Sequence, residues 1–205
     1  MKLEPTKLEE ESEALWNMDF HGAVSKEGGG AGVWILNSQT WIANGHSYKL
    51  NFQCTNNIVE YEALILGLQL LKKLGAKRIS VHRDLELIIN QIKGEYSTKH
   101  PRLRAYKNAV LDFLQCFPNY QLSIIPRGQN IFADALAISS STCKVSFHPN
   151  RKYEVEIKHK PTILDNVRYW KVFGSDKQVE NFLQLKDDFE SVNIDTDNHI
   201  HKNKK

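Results

Sequence analysis

The chain has 205 residues, 41% hydrophobic and 25% charged, with a formal net charge of +3. That hydrophobic share supports a packed core and excludes global disorder, while so small a charge does not by itself mark a nucleic-acid binder. Three widely spaced cysteines, Cys54, Cys116 and Cys143, with no C-x-x-C pair, exclude a disulfide frame and a zinc site.

Residues 1–13 are acidic and lack an apolar stretch, so they read as a solvated leader and not as a targeting signal. No apolar run approaches ~18 residues, so no membrane span is expected. The expectation is an intracellular protein, cytoplasmic or nuclear, and monomeric.

From Ala14 the pattern A-L-W-N-M-D-F-H-G-A-V alternates as a strand. Asp19 and His21 fall two residues apart, so they share one face. The three glycines Gly28, Gly29 and Gly30 predict a hairpin turn; a phosphate loop is excluded because no G-K-[ST] follows. V-W-I-L and S-Y-K-L-N-F-Q then predict a second and a third strand.

The period then changes. Thr55, Asn56 and Asn57 are N-cap types opening a long helix with Leu64, Ile65, Leu68 and Leu71 on its stripe and Gly75 at its end. K-R-I-S-V-H-R-D is a short strand ending at Asp84, and L-E-L-I-I-N-Q-I-K-G a second helix closed by Gly94. A third helix lies between Pro101 and Pro118, then the strand Y-Q-L-S-I-I-P, the loop R-G-Q-N and a last helix ending near Ser141. The order β-β-β-α-β-α-α-β-α predicts a mixed sheet covered by helices. Residues 142–205 read as a weakly folded extension with a strand in Y-E-V-E-I-K-H, an amphipathic helix over 178–189 and a disordered polar end. His199 and His201 in that end have no partner cysteines and are assigned no metal.

Three acids stand out by position: Glu60 in the first turns of the long helix, Asp84 at a strand end, and Asp134 inside the small apolar stretch A-D-A-L-A. Each alone reads as a solvated surface acid. Converging, they would present hard oxygens to divalent metal ions, the arrangement that supports two-metal phosphodiester cleavage.

F-H-G-A, T-N-N-I-V-E-Y-E-A-L, R-D-L-E-L-I-I-N-Q-I-K-G-E-Y and P-R-G-Q-N-I-F-A-D-A-L-A, in this order, resemble the type I ribonuclease H domain, in the form found within gypsy-class LTR-retroelement polyproteins. The resemblance covers residues 15–141. It implies an α/β, ribonuclease H-like fold over 14–141, a mixed five-stranded sheet flanked by helices. It also implies cleavage of the RNA strand of RNA–DNA hybrids, with two Mg²⁺ ions (Mn²⁺ as a substitute) and a neighbouring reverse transcriptase.

Carried over, Glu60, Asp84 and Asp134 match three of four metal-binding, catalytic acids, and Thr55, Asn56 and Asn57 match nucleic-acid contacts. The family's first aspartate belongs where this chain has His21. Imidazole offers one nitrogen lone pair where a bridging ligand needs two anionic oxygens, and Mg²⁺ prefers oxygen. Cleavage is therefore expected to be impaired, the alternative role being an inactive hybrid-binding module or a retroelement remnant. Asp19 lies about 6.5 Å along the strand from residue 21, too far to substitute without a backbone shift. Leu85 stands where the family usually has serine. Lys99, His100, Arg102, Arg104 and Lys107 form a basic cluster, read either as a solvated face or as phosphate contacts.

Overall fold

The computed structural model describes residues 13–143 and 155–164. The leader up to residue 12, the expected helix over 178–189 and the polar end lie outside them. The described elements are β1 (Leu15–Ser25), β2 (Gly28–Asn37), β3 (Ala43–Leu50), α1 (Asn56–Lys73), β4 (Arg78–Arg83), α2 (Glu86–Lys93), α3 (Pro101–Leu114), β5 (Asn119–Ile124), a 3-10 turn (Arg127–Gln129), α4 (Ile131–Thr142) and β6 (Glu156–Lys158). Among the described residues no helix is long and apolar enough to cross a membrane.

The sheet order is β5-β4-β1-β2-β3-β6. β1, β2 and β3 form the expected antiparallel meander, while β4 joins β1 in parallel and β5 joins β4 in parallel. The sheet has six strands where five were expected. The sixth, β6, comes from the expected extension and pairs in parallel with the edge of β3. Hydrogen bonds hold the segment after it: buried Glu62 of α1 accepts from the backbone amide of Thr162 at 2.7 Å and from its hydroxyl, and also from the Tyr106 hydroxyl at 2.5 Å. Ile163, 6% exposed, joins the core. A bare β3 edge would leave ladder groups unpaired, and β6 covers it over three residues.

Helices lie on both faces of the sheet. Gly22 pairs with Ala31, so both point to one side, and Gly30 and Gly32 point to the other. A Cβ at Gly22 would fall 2.6 Å from backbone atoms of Val59 and Glu60, which places α1 on the first side. A Cβ at Gly30 or Gly32 would fall 2.3 or 2.1 Å from α4 carbonyls, which places α4 on the second. The glycine run is thus no hairpin turn: Gly28 to Gly30 already belong to β2, and the connection is only Lys26 and Glu27. Bare backbone at Gly30 and Gly32 lets α4 pack directly on the strand.

α1 is buried on nearly every side, including Leu64, Ile65, Leu68 and Leu71 at 0% exposure. It therefore lacks a polar face over most of its length, and its acids Glu60 and Glu62 are buried too. The Thr55 hydroxyl caps it by accepting from the Ile58 amide at 3.4 Å.

Two substitutions test this packing by urea unfolding. Gly32→Ala forces a methyl group against the Ala133 carbonyl and is expected to destabilise by about 1–3 kcal/mol, the usual cost of overpacking. Thr162→Val removes a hydroxyl donor from buried Glu62 and is expected to cost about 1–3 kcal/mol. Unchanged urea midpoints would contradict both contacts.

Candidate functional site

β1 carries His21 towards the α4 side, opposite Gly32. α1 brings Glu60 from the other side, held by the Gly22 amide, which donates to Oε2 at 3.0 Å. β4 ends beside β1 and delivers Arg83 and then Asp84. α4 brings Asp134 in its first turn. The structure therefore draws together all three predicted acids and His21. It also inserts a residue that the sequence reading did not single out.

That residue is Arg83, whose side chain is 3% exposed. β4 alternates, so Ile79, Val81 and Arg83 point to the covered side. The guanidinium lies 5.8 Å from the Phe20 ring centroid and donates through Nη2 to Glu60 Oε1 and through Nη1 to Asp84 Oδ1. Nη1 also lies 2.6 Å from His21 Nδ1. Its Nε has no hydrogen-bond partner among the described residues.

This contact sets the state of His21. A guanidinium has no acceptor, so Nδ1 must accept and the imidazole must be neutral, with its proton on Nε2. Nε2 lies 3.1 Å from Asp134 Oδ1 and donates to it. Electrostatics agree: burial first, then the Arg83 charge, hold the His21 pKa down at about 4, against the opposing pull of Asp134. Burial also pushes Glu60 up to about 7, although Arg83 and the Gly22 amide favour its charged form.

Asn130, 1% exposed, completes the cluster. The sequence reading treated it as part of a loop. Its Nδ2 donates to Asp84 Oδ1 and to the Phe20 carbonyl, each at 3.1 Å, tying the start of α4 to β1 and to the end of β4.

Asp19 is engaged elsewhere. Its Oδ1 lies 2.9 Å from His82 Nδ1, and His82 Nε2 lies 2.8 Å from Ser80 Oγ. Asp19 therefore turns towards β4 and is not a replacement ligand. The Ser80–His82–Asp19 order is that of a nucleophile relay. Yet Ser80 sits mid-strand, 6% exposed, between β1 and β5. Amides in that ladder are not free to receive an oxyanion.

The residues present do not fit a divalent metal. The guanidinium takes up carboxylate oxygens of Glu60 and Asp84, and the remaining ring N–H of His21 faces Asp134. Among the described residues no group of three or more His, Cys, Asp or Glu side chains is placed to hold a metal ion.

Thr55 and Asn56 are exposed and Asn57 half-buried at the start of α1. In the basic cluster, Lys107 is buried and Arg102 stacks 5.6 Å over the Tyr106 ring. Lys99 and His100 are exposed and Arg104 is half-buried.

A family model described as reverse transcriptase-like matches residues 19–140. The chain belongs to this family. Within the reverse transcriptase-like family, its relatives include ribonucleases H. It is 32% identical over 119 residues to ribonuclease HI of Halobacterium salinarum, covering 58% of this chain and 60% of that protein. It is 34% identical over 116 residues to the bifunctional protein Rv2228c of Mycobacterium tuberculosis, covering 57% of this chain and 31% of that one. The chain thus spans less than two thirds of either relative.

Solved structures agree. RNase H1 of Halobacterium salinarum superposes with a TM-score of 0.56 at 27% identity, covering 62% of this chain and 96% of that one. LC11-RNase H1, solved in complex with an RNA/DNA hybrid, gives 0.53 at 28% identity, covering 61% and 95%. The reverse transcriptase-like domain of this chain therefore has the ribonuclease H-like fold.

Arg83→Met tests the cluster. It leaves Glu60 and Asp84 without their buried cation and is expected to lower unfolding free energy by about 3–5 kcal/mol, the cost of removing one partner of a buried pair. A loss below about 1 kcal/mol, the range of exposed ion pairs, would show that the guanidinium is solvated.

Proposed function

We propose that this chain is an RNA–DNA hybrid-binding ribonuclease H-like domain that does not cleave by the metal-dependent route. The observation that carries the reading is the buried Arg83 guanidinium between Glu60 and Asp84. Those two acids, with Asp134, are the positions that resemblance assigns to Mg²⁺ binding and catalysis. Mg²⁺ needs near-octahedral oxygen ligation, and here a nitrogen cation already engages carboxylate oxygens.

Hybrid binding does not need that metal. Thr55, Asn56 and Asn57 lie at a helix N-terminus, where free amides favour phosphate. Asparagine amides both donate and accept, which suits sugar 2′-hydroxyls. Capping by Thr55 uses its hydroxyl as an acceptor and leaves both asparagines available. Lys99 and Arg104 supply a further cationic approach. The relative LC11-RNase H1, crystallised with a hybrid, supports this choice of ligand. The motif order supports an origin in a gypsy-class retroelement, beside a reverse transcriptase, with residues 14–141 as the hybrid-binding unit.

Fluorescence anisotropy with a labelled RNA–DNA hybrid tests the reading. Binding is expected to be the same with EDTA as with Mg²⁺, and to weaken about tenfold when Asn56→Ala and Asn57→Ala are combined, one hydrogen-bonded contact pair being worth about 1.4 kcal/mol. Cleavage is expected to be undetectable in Mg²⁺ or Mn²⁺. Robust cutting in Mg²⁺, or equal affinity of the double variant, would overturn it.

A further inference from the structure

The carboxylate site holds its own cation, and that has a consequence for position 21. We infer that Arg83 stands in the metal's place and that His21 and Arg83 are one interlocked arrangement, so that restoring aspartate at position 21 alone does not open the site to metal. The inference rests on the reading above only in taking Glu60, Asp84 and Asp134 as the metal-ligand positions.

The geometry carries it in three steps. First, Arg83 already spans Glu60 and Asp84, and it is anchored from behind by β4 and the Phe20 ring. It is not a surface arginine free to swing out: its side chain is 3% exposed. Second, the atom of position 21 that meets Arg83 is an acceptor, His21 Nδ1, at 2.6 Å. An aspartate there would place a carboxylate within reach of the same Nη1. It would add a charged acceptor to the guanidinium and tighten the plug. Third, removing the guanidinium frees oxygens on Glu60 and Asp84 together, and it frees the His21 Nδ1 lone pair. Two carboxylates and an imidazole suit Mn²⁺ better than Mg²⁺. Only when position 21 is also aspartate is the set all oxygen, as Mg²⁺ requires.

This ordering is specific to a plugged site. If His21 were the sole departure, His21→Asp would restore metal binding by itself. The observed contacts give the opposite order: Arg83 must go first.

The test is metal binding, read by calorimetry and by thermal shift on four proteins: the chain as it stands, His21→Asp, Arg83→Thr, and the double variant. Threonine is short and suits a strand. The unchanged chain and His21→Asp are expected to show no saturable Mg²⁺ or Mn²⁺ binding. Arg83→Thr is expected to bind Mn²⁺ only, and the double variant both ions, each reversed by EDTA. Circular dichroism checks that the Arg83 variants fold.

Should they not fold, the unchanged chain and His21→Asp still decide the matter. Mn²⁺ would broaden the Gly22 and Asn130 amide resonances of either protein if the site admits metal, and leave them sharp if Arg83 fills it. Saturable binding, or broadening, in His21→Asp alone would overturn the inference. Hybrid affinity measured on the same samples separates the two readings: loss of hybrid binding with this metal pattern intact removes the proposed ligand and leaves the plug standing.

Discussion

A guanidinium cannot sit unpaired beneath a protein surface. Its desolvation costs several kcal/mol, so it must be surrounded by acceptors. The organisation around Arg83 follows from that constraint. Strand alternation sends its side chain to the face covered by α1, where the neighbours would otherwise be Phe20, Val81 and other core groups. Glu60 descends from α1 to meet it, Asp84 turns back from the next residue, and His21 presents a lone pair. Because Nδ1 is committed to accepting, Nε2 must donate, and this draws Asp134 and α4 into the same network. One buried cation thereby fixes a tautomer and orients acids from three separate elements.

That network is possible only because the backbones come close. Gly22 lets α1 lie against β1, near enough for its amide to hold Glu60. Gly30 and Gly32 do the same for α4 on the opposite face. Asn130 then ties the start of α4 to the middle of β1 and to the residue that follows β4. The sheet acts as a thin partition with helices pressed on both sides, and the site forms where β4 stops and side chains from both faces meet.

The proposed hybrid surface is built from different groups. It uses the exposed first turn of α1 and not the buried acids below it, so recognition and metal chemistry draw on separate residues. Loss of the second does not require loss of the first. The same helix serves the far edge of the sheet through Glu62, which receives the segment following β6. A single buried helix thus supports the guanidinium cluster, offers the proposed binding turn and anchors the sixth strand.

Much of this was legible in the sequence. Strand alternation, the period change at Thr55, the caps and the proline signals placed the meander and the helices, because local spacing dictates which side chains share a face. The motifs located His21, Glu60, Asp84 and Asp134, and the chemistry of imidazole was enough to question metal binding. Three things were decided only by tertiary structure. The glycine run read as a turn, because its role depends on how close α4 comes. The alternation in Y-E-V-E-I-K-H marked a strand, but not that it would join the sheet, because pairing with the distant edge of β3 is set by the folded chain and not by local pattern. Arg83 passed as an ordinary charge before Asp84, although alternation alone puts it on the buried side of β4. What it meets there depends on residues 23 positions before it in the chain and 62 before it, at Glu60 and His21. A sequence shows which side chain must be buried; only the folded chain shows which charges meet it.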